Sequence, residues 1–413
     1  YRGPVTIRDA LANSLNIPAV RWLSKYSLKD FQNILLKSGL RSIDKNPDYY
    51  GHSLVLGSAE VRLIDLSSAY TIFPNSGIFI NHYSAVSLKK ENGDIFYFPK
   101  KSYTHKRVIS KESAYLINKI LSDRNARMGS FRSYRGLVYP FEIAIKTGTS
   151  KGSRDAWAIG YTKDYIVGLW LGDFKGSEMI NITGGNGAVP ILYDLFSMLN
   201  KSQKETKWDK PSDIVEREIC LISGKLRGEF CKETRLEEFS IFNVPKEECD
   251  VHNLYIKRNS DGSIDKKVFL NLPSEYNDWI KERQIEKPNS EWIKAENTYA
   301  YNNLNQINNF NSINNQNKIN ERISITSPTD NSVYKIDSTL PLEYQNIFIS
   351  SYIPKNIIEA NLYCNEEIIA NIEELKNGSV IWNLKKGDYT FYIKAINSNG
   401  NDIKSPNINI FIQ

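Results

Sequence analysis

Apolar positions near the start of the chain recur at helical spacing. Ile7, Leu11 and Leu15 lie on one face, and Arg8–Leu15 (RDALANSL) is predicted to be a helix. Thr6 and Asp9 suit its start, with a hydroxyl at the cap and a carboxylate in the first turn. Pro18 lacks an N–H and pushes Ile17 towards an extended conformation. A second helix is expected from Pro18, with Val20, Leu23 and Tyr26 on one stripe. Ser14 and Asn16 then fall at a kink, where residues two apart in an extended step share a side. Short polar side chains at a helix end either cap it or line a site. On this stretch alone both readings stand.

The helical period continues to about residue 125. GSAEVRLIDLSSAYTIFPNSG carries Val61, Ile64, Leu66 and Tyr70 near helical spacing and ends at Pro74 and Asn75-Ser76-Gly77. Two short strands follow in FINHYSAVSLKKENGDIFYF, turning at Asn92-Gly93. SKESAYLINKILSD is a helix with Ser110 as cap and Ala114, Ile117 and Leu121 buried. From Phe141 the period drops to two. FEIAIKTGTS, DAWAIGYT and YIVGLWLGD predict an antiparallel meander of strands at about 141–149, 155–162 and 165–173, closed by a short helix at PILYDLF. Helices beside an antiparallel sheet make an α+β layer design.

The remainder divides by composition. Residues 206–296 read as a connecting region with three cysteines and short apolar runs. Between Asn297 and Asn320, eleven of 24 residues are Asn. Such a stretch buries too little apolar surface to order itself, so 297–320 is expected to be a linker. Residues 321–413 alternate β-type runs with turns every 8–12 residues, which predicts a small all-β sandwich. Its aromatics Trp382, Tyr389 and Tyr392 are read mainly as core, and the sandwich shows no chemical motif that would name a partner.

The 413 residues are 41% apolar and 24% charged, ordinary for globular protein, and the net charge of +6 is small for that length. No basic run interleaved with aromatics suggests nucleic-acid binding. No apolar run reaches 18 residues and no signal peptide is visible. The four cysteines are Cys220, Cys231, Cys249 and Cys364. Ten residues containing SGKLRG separate Cys220 from Cys231, so a bridge closing that loop is the expectation. Cys220, Cys231, Cys249 and His252 also fit a Cys3His zinc set, although separations of ten and seventeen residues are wide for a zinc module. Unpaired thiols are the third state. Cys364 reads as an isolated buried thiol on a strand.

The sharpest chemical signal is Lys146-Thr147-Gly148-Thr149-Ser150 at the end of a predicted strand. Gly148 lets a ligand backbone lie against the strand. Lys146 brings a cation, and Thr147 and Thr149 bring hydroxyls, a set suited to a carboxylate or to a peptide added at the sheet edge. The plainer alternative is a polar turn with a solvated lysine. Ser14-Leu15-Asn16 lies upstream in Ser-x-Asn form. A Ser-x-x-Lys nucleophile, a Ser-x-Asn type element and Lys-Thr-Gly together mark penicillin-interacting serine enzymes. Two of the three occur here in the right order.

With these motifs, residues 1 to about 205 resemble the C-terminal part of the transpeptidase domain of class A penicillin-binding proteins. The resemblance is carried by ALANSLNIPAVRWL, GHSLVLGSAEVRLIDLSSAYTIFPNSG, AIKTGTSKGSRDAWAIGYTKDYIVGLWLGD and GAVPILYDLF. CLISGKLRGEFCKETR, CDVH and the terminal sandwich are similar to the extra C-terminal module of the 1C type. Asp173 stands where the family commonly has Asn. The larger departure is that no serine precedes Arg8, so the family's Ser-x-x-Lys nucleophile has no counterpart upstream of Ser14. Ser42-Ile43-Asp44-Lys45 and Ser87-Leu88-Lys89-Lys90 match the pattern but follow Ser14. The glycosyltransferase half of a class A protein has no counterpart either. The chain is therefore expected to be a fragment, with a membrane anchor in its missing N-terminal part.

The resemblance implies a serine β-lactamase-like fold, an extracytoplasmic (periplasmic) location and serine acyl transfer on a D-Ala-D-Ala stem peptide, without a cofactor. Lys146 would be held by Ser14 beside the nucleophile's own lysine. Ser14 would relay a proton to the leaving D-Ala amine, and Asn16 would donate its amide to the substrate backbone. Thr147 and Thr149 would bind the terminal carboxylate, Gly148 and Ser150 would complete the substrate strand, and the Thr149 N–H would serve the oxyanion. Peptidoglycan stem peptides and lipid-linked precursors would be the partners and β-lactams the inhibitors. An extracytoplasmic site also suits the Cys220–Cys231 bridge. No histidine is required; His52, His82, His105 and His252 offer no nucleophile-elbow triad. Arg154 and Asp155 are read as a solvated pair or as an aid to placing the donor strand. A non-catalytic docking module and a D,D-carboxypeptidase or β-lactamase remain the competing readings.

Overall fold

The computed structural model describes residues 2–83, 88–96, 106–127, 141–199, 207–295, 323–328, 330–336, 345–354, 356–376 and 380–413. The expected linker at 297–320, Ser87 and His105 lie outside them. No described helix is long and apolar enough to cross a membrane.

Thr6 caps the first helix, α1 (Ile7–Ala12), by accepting the Asp9 N–H at 3.1 Å. The helix stops three residues sooner than its apolar spacing suggests. The Leu15 N–H bonds back to the Ala10 carbonyl and the Ser14 N–H to that of Leu11. That pair of bonds is a Schellman motif. It puts Ser14 in the left-handed region, φ 54°, where glycine is usual. Asn13 pins the turn by donating to the carbonyls of Asp9 and Ala126.

The next helix, α2 (Asn16–Leu23), begins two residues before the position expected from Pro18. Pro18 is its third residue, where a backbone N–H would have no intrahelical acceptor. The proline is therefore tolerated and Ile17 is helical. Leu23 is buried, whereas Tyr26 is 58% exposed. Helix α3 (Leu28–Lys37), capped by Ser27, packs Leu28, Phe31 and Leu35 over Leu40, Ile43 and Leu54.

The meander forms as predicted in order and pairing. Strands β1 (Ala144–Thr149), β2 (Asp155–Tyr161) and β3 (Ile166–Gly172) are antiparallel, with Lys146 opposite Ile159 and Gly148 opposite Trp157. Helix α4 (Leu63–Ala69) and helix α5 (Lys111–Ser122), the latter capped by Ser110 as expected, cover one face. Helix α6 (Val189–Leu199) covers the other. Both approaches are close. A Cβ at Gly160 would lie 2.6 Å from Leu192, and one at Gly168 would lie 2.1 Å from Ser67 Oγ. On α4 it is Ser67 that meets Gly168, while Ser68 and Ala69 are buried and Ile64 is 47% exposed rather than buried.

Beyond α6, β4 (Ile214–Cys220) and β5 (Thr234–Ser240) form a hairpin. Strand β6 (His252–Arg258) pairs with β7 (Ile264–Leu270) and β8 (Ile293–Lys294). The β4–β5 hairpin grips the helical portion. Arg8 donates to Glu237 at 2.7 Å through Nε and to Asp123 at 3.0 Å, and Tyr115 donates to Glu238 at 3.0 Å. Arg8 and Glu237 are nearly enclosed, at 12% and 13% side-chain exposure. A half-pair left there would cost about 3–5 kcal/mol, so this clamp fixes α1 firmly.

The last portion is a two-sheet sandwich. Strands β9 (Ser324–Ser327), β11 (Asn346–Tyr352) and β14 (Val380–Asn383) form one sheet. The other runs β10 (Ser332–Tyr334), β17 (Ile408–Ile412), β15 (Gly387–Asn397), β12 (Ile357–Cys364) and β13 (Glu367–Asn371), with β16 (Asp402–Lys404) also on β15. Their inner faces share one core that includes Ile349, Leu362, Phe391 and Ile410. Cys364 is buried at the end of β12, as expected. Trp382 packs edge-on against Tyr389 and Phe391, so these aromatics belong to the core.

Candidate active site

Among the described residues strand β1 pairs with β2 only, so its far edge carries no described strand. Ser150 N–H bonds the Asp155 carbonyl in the turn. Backbone groups of a strand alternate in direction, so the N–H and C=O of Thr147 and Thr149 face the far edge. The Schellman turn delivers Ser14 to that edge. Lys146 Nζ donates to Ser14 Oγ at 2.5 Å and to the Thr147 carbonyl at 2.8 Å. The two residues are 132 positions apart in sequence.

Ser14 and Asn16 are exposed, and neither caps a helix. The N-cap of α2 is Leu15, with no side-chain bond. The kink therefore leaves both side chains free of capping duty, and Ser14 meets Lys146. Ser14 can occupy its left-handed position only at a cost of about 1–2 kcal/mol.

The Lys146 side chain is half-buried, and desolvation lowers its pKa from 10.5 to about 8. At neutral pH it remains mostly charged. An ammonium has only donors, so Ser14 Oγ accepts from it and its own O–H is left to donate elsewhere.

The strand pleat separates the rest of the motif. Lys146 and Gly148 share one face, whereas Thr147 and Thr149 lie on the α6 side. Thr147 is covered there by the Gly184 backbone: a Cβ at Gly184 would lie 3.0 Å from the Thr147 Cβ. Its side chain thus packs against the loop on the face away from Lys146. Thr149 Oγ1 accepts the Gly184 N–H at 3.1 Å, which leaves its O–H free to donate. Ser150 Oγ accepts the Asp155 N–H at 2.8 Å and closes the β1–β2 turn. A Cβ on Gly148 would meet only the Trp157 Cβ, at 3.6 Å, so the fold itself does not demand that glycine.

The loop ahead of α6 was not singled out by the motif reading. Gly184–Ala188 form one wide π-type turn, capped reciprocally by Thr183 and Asn186. Gly184 has no room for a side chain: its Cβ would fall 2.5 Å from the Trp157 carbonyl oxygen and 2.7 Å from that of Gly148. Two signals were available, the Thr183/Asn186 capping spacing and the glycines before an apolar run.

Other candidates fall elsewhere. Ser42 donates to the Glu60 carbonyl and Lys45 lies over the Tyr49 ring, and neither is bonded to Ser14 or Lys146. Arg154 and Asp155 are not paired with each other: Arg154 faces Glu178, and Asp155 accepts from the Trp170 indole at 2.9 Å. Asp173 caps the turn after β3 by accepting the Lys175 N–H at 3.0 Å, a role that either Asp or Asn fills. The expected Cys220–Cys231 bridge is not formed, and all four cysteines are free thiols. Cys220 and Cys231 instead turn towards His252.

The sequence family described as penicillin binding protein transpeptidase domain matches residues 1–181, and penicillin-binding protein 1A, C-terminal domain, matches residues 210–254. Penicillin-binding protein 1C of Escherichia coli K12 is 31% identical over 226 residues, covering 54% of this chain and 27% of that protein. Penicillin-binding protein 1A of Rickettsia typhi is 27% identical over 291 residues, covering 64% and 36%. The chain thus spans about a third of the length of these relatives. The crystal structure of penicillin-binding protein 1A from Haemophilus influenzae has the same fold over 60% of this chain and 42% of that one, with TM-score 0.51 and 23% identity.

An α+β sheet whose far edge carries a Lys-Thr-Gly lysine bonded to a Ser-x-Asn serine defines a penicillin-binding transpeptidase domain. The small module at 210–254 follows it in the order found here. Residues 1–181 belong to the penicillin-binding transpeptidase domain family, and the chain is similar to penicillin-binding proteins of the 1C and 1A types.

Proposed function

We propose that the protein is a peptidoglycan D,D-transpeptidase acting at the extracytoplasmic face of the bacterial inner membrane. In this reading the chain supplies two of the three active-site elements, and the acylated serine comes from a Ser-x-x-Lys element other than those in this sequence. The Lys146–Ser14 hydrogen bond is the observation that carries the reading. In the reaction, a serine oxygen attacks the penultimate carbonyl of a D-Ala-D-Ala stem, and the C–N bond to the terminal D-Ala breaks. The attacking hydroxyl gives its proton to the lysine of its own Ser-x-x-Lys element; Ser14 passes its proton to the departing amine and regains one from that lysine, while the Lys146 ammonium holds the Ser14 hydroxyl oriented and favours negative charge nearby. Asn16, exposed on the same rim, donates to the stem-peptide backbone. The Thr149 N–H on the far edge meets the developing oxyanion, a contact worth about 3 kcal/mol in comparable sites. The Thr149 O–H receives the terminal carboxylate. An amine of a second stem then takes the acyl group and forms the cross-link. β-Lactams would acylate the same serine.

Labelled penicillin incubated with this chain should leave no stoichiometric covalent adduct. An adduct on Ser42, Ser87 or Ser14 would overturn the assignment of the nucleophile. With the Ser-x-x-Lys element joined ahead of Tyr1, mass analysis with a stem pentapeptide and an amine acceptor should show D-Ala release coupled to a cross-linked product. Release to water alone would make the protein a D,D-carboxypeptidase, and binding without release would make it a docking module.

A further inference from the structure

The transpeptidase cleft makes no use of Cys220, Cys231, Cys249 and His252, yet the fold gathers all four. Their ligand atoms lie within 4.8 Å of one another. The three sulfurs surround one ring nitrogen: His252 Nδ1 is 3.5 Å from Cys220 Sγ, 3.6 Å from Cys231 Sγ and 3.3 Å from Cys249 Sγ. That nitrogen offers a single N–H or a single lone pair, so hydrogen bonding cannot satisfy three thiols there. A tetrahedron with metal–sulfur bonds of about 2.3 Å and a metal–nitrogen bond of about 2.0 Å separates neighbouring sulfur and nitrogen ligands by about 3.5 Å. The observed sulfur–nitrogen spacings are those of a ligand shell.

The backbone around the sulfurs has the matching character. N–H groups of Ile222 and Ser223 point at Cys220, and those of Val251 and His252 point at Cys249. The Gly228 N–H reaches Cys231 Sγ at 3.4 Å. Such donors stabilise thiolates and orient them for a cation. Gly224, at φ 70°, closes the tight turn after Cys220 by returning its N–H to the Cys220 carbonyl at 2.8 Å.

We propose that these four residues form a structural zinc site. The three thiols would lose their protons on binding, and His252 would coordinate through Nδ1. With four protein ligands no position stays open for substrate or water, which separates it from a catalytic centre. Its place in the fold gives it a task. Cys220 ends β4 and His252 begins β6, so the metal ties the β4–β5 hairpin to the β6–β7–β8 sheet. That portion has little core of its own: apart from Cys220 and Cys231, its buried apolar residues are Ile214, Ile219, Phe269 and Ile280. Small units of this kind commonly depend on a metal or a bridge. The same hairpin holds Arg8, and with it the helix that presents Ser14.

The test uses the full chain, purified without chelator. Elemental analysis should give one zinc per chain. After exchange, cobalt should show the strong visible bands of a tetrahedral site and a sulfur-to-metal charge-transfer band. Cys249→Ala should lose the stoichiometric metal. His252→Cys should keep one metal and raise the charge-transfer intensity by about a third, from three thiolates to four. This variant separates metal ligation from a merely structural role. The proposal is overturned by a chain that carries no zinc and leaves added cobalt octahedral, or by an intact mass short of two hydrogens that shows a Cys220–Cys231 disulfide.

Discussion

Lys146 pairs a functional placement with a cost in stability that can be measured. Its pKa of about 8 in the fold, against 10.5 for the free side chain, means that the unfolded chain holds the proton more tightly. Stability should therefore rise with pH through that window. The contribution is full above 10.5 and is lost as pH falls through about 8. Between pH 7 and pH 10 the proton-binding difference amounts to about 2.5 kcal/mol. Lys146→Met keeps most of the stem and removes the titrating charge. The unfolding free energy of the unsubstituted chain minus that of the variant should therefore increase by about 2.5 kcal/mol from pH 7 to pH 10. Urea melts at four pH values in that range, read on the transition that the substitution shifts, give this difference directly. Groups that titrate in both proteins cancel. A difference that stays constant across the range would refute the account, because it would show that the ammonium is fully solvated.

Substitutions at two further positions probe the scaffold around it. Gly184→Ala drives a Cβ to 2.5 Å and 2.7 Å from two backbone carbonyl oxygens, so it should destabilise the chain by about 1–3 kcal/mol and speed amide exchange in β1; an unchanged melt would show that the loop is not packed on the sheet. Ser14→Gly and Ser14→Ala both remove the hydroxyl, but only alanine keeps a Cβ in the left-handed turn. The glycine variant should be the more stable of the two by about 1 kcal/mol in thermal or urea unfolding, and equal stabilities would remove the argument for strain at Ser14.

The period of apolar residues was enough to place the meander at about 141–173, against 144–172 in the fold, the Ser110-capped helix and the β-rich end, because in each the buried face is set by alternation or helical repeat along one segment. The pairing of Ser14 with Lys146 was suggested by motif order alone. The sequence could also list the zinc ligands, and it ranked them below a disulfide because separations along the chain say nothing about separations in space. Other features were decided by contacts between distant segments. The Schellman turn cut α1 short and aimed Ser14 outward, against the reach of its apolar stripe. The pleat of β1 set Thr147 under Gly184, on the face opposite Lys146. The packing of α4 on the sheet placed Ser67 against Gly168 and left Ile64 in solvent. Local chemistry thus fixed which segments form and which residues could act. Only the folded chain, in which backbone directions and steric room are shared among remote segments, determined which of those residues meet.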